Sequence, residues 1–144
     1  MTGIILVGHG NFATGLSSAA NLIFGELEKF EALDFTIDTT PEILERKIEE
    51  KIKEIGNNNG ILIFTDIAGG TPFKVSSLAS LKYSNVKVFA GTNLPLLLEV
   101  LSEREGYKDL DSIMEYLVNL GREEIKFFKV NNKKNQLEET EDGI

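Results

Sequence analysis

Apolar positions along this chain fall into two patterns: short unbroken runs, and longer stretches in which they recur every third or fourth residue. The first run, Ile4-Ile5-Leu6-Val7, is of the kind that makes a strand buried on both faces. It stops at Gly8-His9-Gly10, after which Phe12, Leu16, Ala19, Ala20, Ile23 and Phe24 lie at helical spacing and Gly25 supplies a stop signal. Phe30 to Phe35 reads as a second strand, short and interrupted by Glu31 and Asp34. Thr39 or Thr40, with Pro41, is the N-cap and first-turn signal of a helix from Glu42 to Ile55. Its charged face, Glu45, Lys47, Glu49, Glu50, Lys51 and Lys53, reads as solvated surface.

Past the Gly56 to Gly60 loop, Ile61-Leu62-Ile63-Phe64-Thr65 is a second fully buried strand. Thr71 as N-cap and Pro72 as first helical residue then open a helix running to about Lys82. Val86 to Ala90 predicts a strand, Leu96 to about Arg104 an apolar helix, and Leu110 to Leu120 an amphipathic helix stopped by Gly121. Glu124 to Val130 predicts a last strand. Strands alternating with helices define an α/β sheet with right-handed crossovers. Ligands of such sheets bind beyond the carboxyl ends of the strands, where strand order reverses. Three loops therefore share one rim: His9 after the first strand, Asp66 to Thr71 after the third, and Thr92-Asn93 after the fourth.

Composition narrows the setting. The 144 residues suit one domain, placed at residues 1–130, with a polar, flexible tail over 131–144. There is no cysteine, which excludes disulfides, thiol nucleophiles and thiolate-bound metals. The formal net charge of -8 argues against tracking a nucleic-acid backbone. Neither a bilayer-length apolar run nor a basic leader is visible, so a soluble, cytoplasmic protein with no direct membrane insertion is expected.

Within that frame the only histidine of the chain, His9, is either part of an ordinary turn or a reactive imidazole at a strand end. A histidine transfers groups when one ring nitrogen is free and the other is held in a defined tautomer by a carboxylate. Asp66 follows a strand that should neighbour the first; its plainer reading is a turn or capping aspartate. Gly69-Gly70-Thr71-Pro72 adds close backbone approach, a hydroxyl and the amide donors of a helix start, a combination suited to a phosphoryl group. It is no Walker loop, lacking Gly-Lys-Ser or Gly-Lys-Thr. Read together, His9 accepts a phosphoryl group, Asp66 orients and balances the ring, and Gly69, Gly70 and Thr71 hold the phosphoryl oxygens, with no metal and no cofactor required.

These motifs resemble the enzyme IIA domain of the mannose-type sugar phosphotransferase systems. The resemblance runs from Gly3 to about Lys129 and rests on Ile4 to Gly10, on Phe64-Thr65-Asp66 with Gly69-Gly70-Thr71-Pro72-Phe73, on Ala90-Gly91-Thr92-Asn93-Leu94-Pro95, and on Gly121-Arg122-Glu123. It implies a doubly wound sheet of about five strands, four parallel and one antiparallel edge strand, with helices on both faces. It implies that His9 takes its phosphoryl group from the phosphocarrier HPr, on the nitrogen facing away from Asp66. The group then passes to a IIB subunit, with the membrane IIC and IID subunits acting downstream. Gly10, Phe12, Thr92 and Asn93 become candidate rim or partner contacts. In the family the last strand can be exchanged in a homodimer, which puts subunit contact at Glu124 to Val130. The chain lacks the Ala/Pro-rich linker and IIB domain of fused members, so a separate IIA subunit is expected. The wording around Phe12 to Gly15 and Thr65 to Pro72 is closer to the N-acetylgalactosamine branch. Three other readings share parts of the pattern: the dihydroxyacetone kinase phosphocarrier, a regulatory IIA-like module, and a small tetrapyrrole chelatase, which would need a second histidine.

Overall fold

The computed structural model describes residues 1–131 together with 136 and 137. The two unbroken apolar runs form the centre of a parallel sheet. β1 (Gly3–His9) and β3 (Ile61–Thr65) lie side by side, β2 (Phe30–Phe35) flanks β1, and β4 (Val86–Phe89) flanks β3, giving the order β2-β1-β3-β4. All three pairings are parallel. Strand order reverses between β1 and β3, so the crevice above that pair is the switch point of a doubly wound sheet.

Alternate residues of the central strands feed two separate cores, as the two-residue period requires. Ile4, Leu6, Leu62 and Phe64 pack with α1 (Phe12–Phe24), α4 (Leu94–Glu103) and α5 (Met114–Glu123) on one face. Ile5, Val7, Ile61 and Ile63 pack with α2 (Pro41–Ile55) and α3 (Thr71–Ser80) on the other. Every residue of β3, and β1 through Gly8, is buried, which explains why these runs show no polar alternation. Phe64 stacks on Phe89 with ring centroids 5.0 Å apart, tying β3 to β4.

The end of the sheet away from the crevice is closed by Arg104. This buried guanidinium donates to three main-chain carbonyls: those of Thr2 and Lys29 at 3.3 Å and that of Glu28 at 2.7 Å. Burial pushes its pKa down, but a guanidinium titrates so high that the charge persists.

Several boundaries differ from those read in the sequence. α2 begins at Pro41 and not Glu42, with Thr40, one of the two expected caps, accepting from the Ile43 N–H. Gly70 takes the N-cap position of α3 and Thr71 is its first helical residue, so Thr71 does not cap it. α4 begins at Leu94 because the Asn93 side chain caps it, accepting from the Leu96 N–H at 3.0 Å. Gly121 does not stop α5: the helix runs through it to Glu123, and the glycine lies against Leu96, where an added Cβ would sit 3.4 Å from Leu96 Cδ2.

The larger correction concerns the last strand. Glu124 to Lys129 form no strand, and the main sheet has four strands with no antiparallel edge member among the described residues. Instead β5 (Val130–Asn131) pairs antiparallel with β6 (Gln136–Leu137) in a separate two-stranded ribbon. Strands need a partner more than they need a propensity, and Ile125, Phe127 and Phe128, at 80%, 76% and 69% exposed, find none here. The domain boundary drawn at residue 130 falls within this ribbon; the remainder of the tail lies outside the described residues.

Candidate functional site

His9 is the last residue of β1 and the first of that strand to emerge from the core. Its side chain is 43% exposed, while that of Asp66 is 11% exposed. The register of β1 and β3 pairs Val7 with Thr65, so the residue after β3 is carried to the side of His9. The two loops meet there: Nδ1 of His9 lies 2.7 Å from Oδ2 of Asp66, and the same oxygen accepts the His9 main-chain N–H at 2.8 Å. Oδ1 of Asp66 accepts the Ile67 N–H at 2.8 Å.

Burial alone would raise the Asp66 pKa, but the hydrogen bonds from the His9 N–H, the His9 ring and the Ile67 N–H, with the attraction of the ring's charge, outweigh it. The net result is a carboxyl held below its ordinary value, and therefore ionised at neutral pH. An ionised carboxylate only accepts hydrogen bonds, so the neutral ring facing it carries its proton on Nδ1 and keeps its lone pair on Nε2. Nε2 has no hydrogen-bond partner among the described residues.

Gly70 explains how the start of α3 comes so close to the ring. A Cβ built on it would sit 2.9 Å from His9 Cε1 and 3.7 Å from Nε2, so any side chain would displace the imidazole. Gly69, before it, has φ of +80°, the left-handed region that favours glycine. Within the first turn of α3, Thr71 and Phe73 carry main-chain donors, while Pro72 has none. Asp66 and Gly70 thus both border the His9 ring, and Gly69 and Thr71 are the chain neighbours of Gly70 at the start of α3.

The other predicted rim positions divide. Gly10 is exposed in the left-handed region with φ of +56° and donates its N–H to the Phe35 carbonyl at 2.8 Å. Phe12 is half-buried and packs over Gly8, whose hydrogen leaves the room the ring occupies. Thr92 is turned inward at 8% exposed, and its main-chain N–H bonds to the Thr65 carbonyl at 3.2 Å. Asn93 is engaged structurally: besides capping α4, its Nδ2 donates to the Gly121 carbonyl at 2.9 Å.

Sequence reasoning missed three supports of the site. Phe35 pairs in register with His9 and meets its ring edge-on at 5.8 Å; aligning the ends of the two strands would have found it. Gly91 donates to the Asp66 carbonyl at 2.6 Å, so the loop after β4 buttresses the aspartate from behind. Asp34 takes two hydrogen bonds from Thr14, a contact that no local pattern signals.

Fold and site together define a class: a small doubly wound α/β protein presenting, at its switch point, an imidazole oriented by a carboxylate and open at its second nitrogen. Comparison with known proteins makes this specific. A family model described as the fructose IIA component of the phosphotransferase system, EIIA-man, matches residues 3–117. The chain is 36% identical over 112 residues to a fructose-specific EIIA component of Bacillus subtilis (strain 168), covering 76% of this chain and 77% of that protein. It is 32% identical over 130 residues to the mannose-specific EIIAB component of Escherichia coli (strain K12), covering 90% of this chain but only 40% of that longer protein. Among solved structures, a phosphotransferase component EIIA from Streptococcus agalactiae superposes with a TM-score of 0.80 at 31% identity, over 88% of this chain and 97% of that one. The mannose/sorbose-specific IIA subunit from Enterococcus faecalis gives 0.81 at 26% identity, over 91% and 97%. The chain belongs to the mannose-type family of IIA components of the sugar phosphotransferase system.

Proposed function

We propose that His9 is the phosphoryl acceptor and donor of this IIA component. The observation that carries the reading is the division of labour on one ring: Nδ1 is held by Asp66 at 2.7 Å while Nε2 is unpartnered among the described residues and borders the start of α3. The Nε2 lone pair attacks the phosphorus of phospho-HPr; the new N–P bond forms as the bond to the donor's imidazole breaks, and the leaving nitrogen keeps the electron pair. Asp66 stabilises the imidazolium that results, and the main-chain donors of Thr71 and Phe73, with the Thr71 hydroxyl, take up charge on the phosphoryl oxygens. Gly70, whose own N–H is bound to the Ile67 carbonyl, supplies clearance rather than a donor. The reverse chemistry delivers the group to a IIB subunit, coupling this cytoplasmic protein to membrane IIC and IID subunits and sugar uptake. The Thr65 to Pro72 wording favours an amino sugar of the N-acetylgalactosamine type. The exposed apolar Ile125, Phe127 and Phe128 support a homodimer joined through the segment after α5.

The test is incubation with enzyme I, HPr and phosphoenolpyruvate, followed by intact-mass analysis. Wild type should gain one acid-labile phosphoryl group and His9→Ala none, and a IIB protein should discharge the label. Equal labelling of the two proteins, or none of wild type, sinks the reading. Labelling that no IIB protein discharges points instead to a regulatory module.

A further inference from the structure

The His9 turn is gripped from two sides, and only one grip involves the ring. His9 faces the core that contains Ile5 and Val7, the side of α2 and α3. Gly8, the residue before it, faces the opposite core, the side of α1. On that opposite face, Asp34 is the register partner of Gly8 on β2. Its carboxylate reaches the first turn of α1, where Oδ1 accepts the Thr14 N–H at 3.0 Å and Oδ2 accepts the Thr14 hydroxyl at 2.6 Å. The N-cap residue of α1, Asn11, makes no side-chain capping bond, so Asp34 supplies from a neighbouring strand what the local sequence does not.

The consequences run directly to His9. Only Gly10 and Asn11 separate it from α1. With α1 fixed to β2 by Asp34, Phe12 stays over Gly8, and the Gly10 N–H stays on the Phe35 carbonyl. The segment between the two anchors holds the His9 main-chain N–H on Asp66 Oδ2, the oxygen that also meets the ring. We propose that Asp34 is a second positioning residue for His9, acting through Thr14 and the first turn of α1, so that the two-point contact with Asp66 stays in register. The catalytic part of this inference rests on the phosphohistidine reading above. Its geometric part does not.

Full-length wild type, Asp34→Asn, Thr14→Val and Thr14→Ser decide it through two measurements. The first is solvent exchange of the His9 main-chain amide by 15N NMR; the second is the phosphorylation rate at saturating phospho-HPr. Asp34→Asn cannot receive both Thr14 bonds with charge, and Thr14→Val loses the hydroxyl alone. Each should speed His9 amide exchange and lower the saturated rate by about tenfold, the scale of one lost hydrogen bond to a charged group. The half-saturating concentration should not change, and Thr14→Ser should restore both readouts. If Asp34→Asn and Thr14→Val lower only the melting temperature and leave both His9 readouts at wild-type values, Asp34 is a helix cap and the proposal falls. If wild type accepts no phosphoryl group, the broader reading fails by itself, and amide exchange still decides whether Asp34 positions His9.

Discussion

A single oxygen, Oδ2 of Asp66, receives both the main chain and the ring of His9. This double use fixes the imidazole plane as well as its tautomer, because the ring cannot swing without leaving the oxygen that its own N–H holds. It also sets a pH signature. The folded-state pKa of Asp66 is lowered from 3.8, so its stabilising contribution is complete above that value and is lost only as pH falls through the lower folded value. The gap in unfolding free energy between wild type and Asp66→Asn should therefore stay level from about pH 7 to about pH 4 and close below it. A denaturant series across that range checks this. A gap that already closes well above pH 4 would refute the assignment to Asp66.

At the scale of elements, Asn93 joins two helices with one side chain, capping α4 and holding the Gly121 carbonyl of α5. Asn93→Ala should cost about 1 kcal/mol for the cap and about 1 kcal/mol for the bridge. Asn93→Ser, which keeps an N-cap oxygen, should recover about half in thermal unfolding. This bridge also shows where sequence reasoning stops. β1 and β3 were legible because residues buried on both faces leave an unbroken apolar run, and His9 and Asp66 were legible because each ends such a run. Gly121 was misread because a glycine near the end of a periodic stretch looks like a stop, whereas its reason is the close approach of Leu96 from another helix. Thr71 was misread as a cap because Gly70, with no side chain to signal, holds that position. Asp34 broke a strand pattern and looked like noise; its partner lies twenty residues away at Thr14. Contacts of that kind leave no local trace.

For the molecule as a whole, the open side of β4 and the segment after α5 belong to one question. Phe89, Leu96, Val118, Gly121 and Ile125 line a groove on that side, and Phe127 and Phe128 stand exposed just beyond it. With the homodimer proposed above, wild type should sediment as a dimer, and Phe127→Glu combined with Phe128→Glu should sediment as a monomer with an unchanged circular dichroism spectrum. A monomeric wild type at high concentration would refute the assignment. The far end of the sheet raises a different consideration. Arg104 binds Glu28 and Lys29 through carbonyls that every amino acid possesses. Relatives can thus exchange Glu28 freely, and Lys29, at φ of +49°, for residues that tolerate the left-handed region, without cost to the clamp, while the arginine has no such freedom: a lysine offers no planar fork to span several carbonyls at once. Heritable variation at this end of the protein should therefore be lopsided, permissive on the side that accepts and strict on the side that donates.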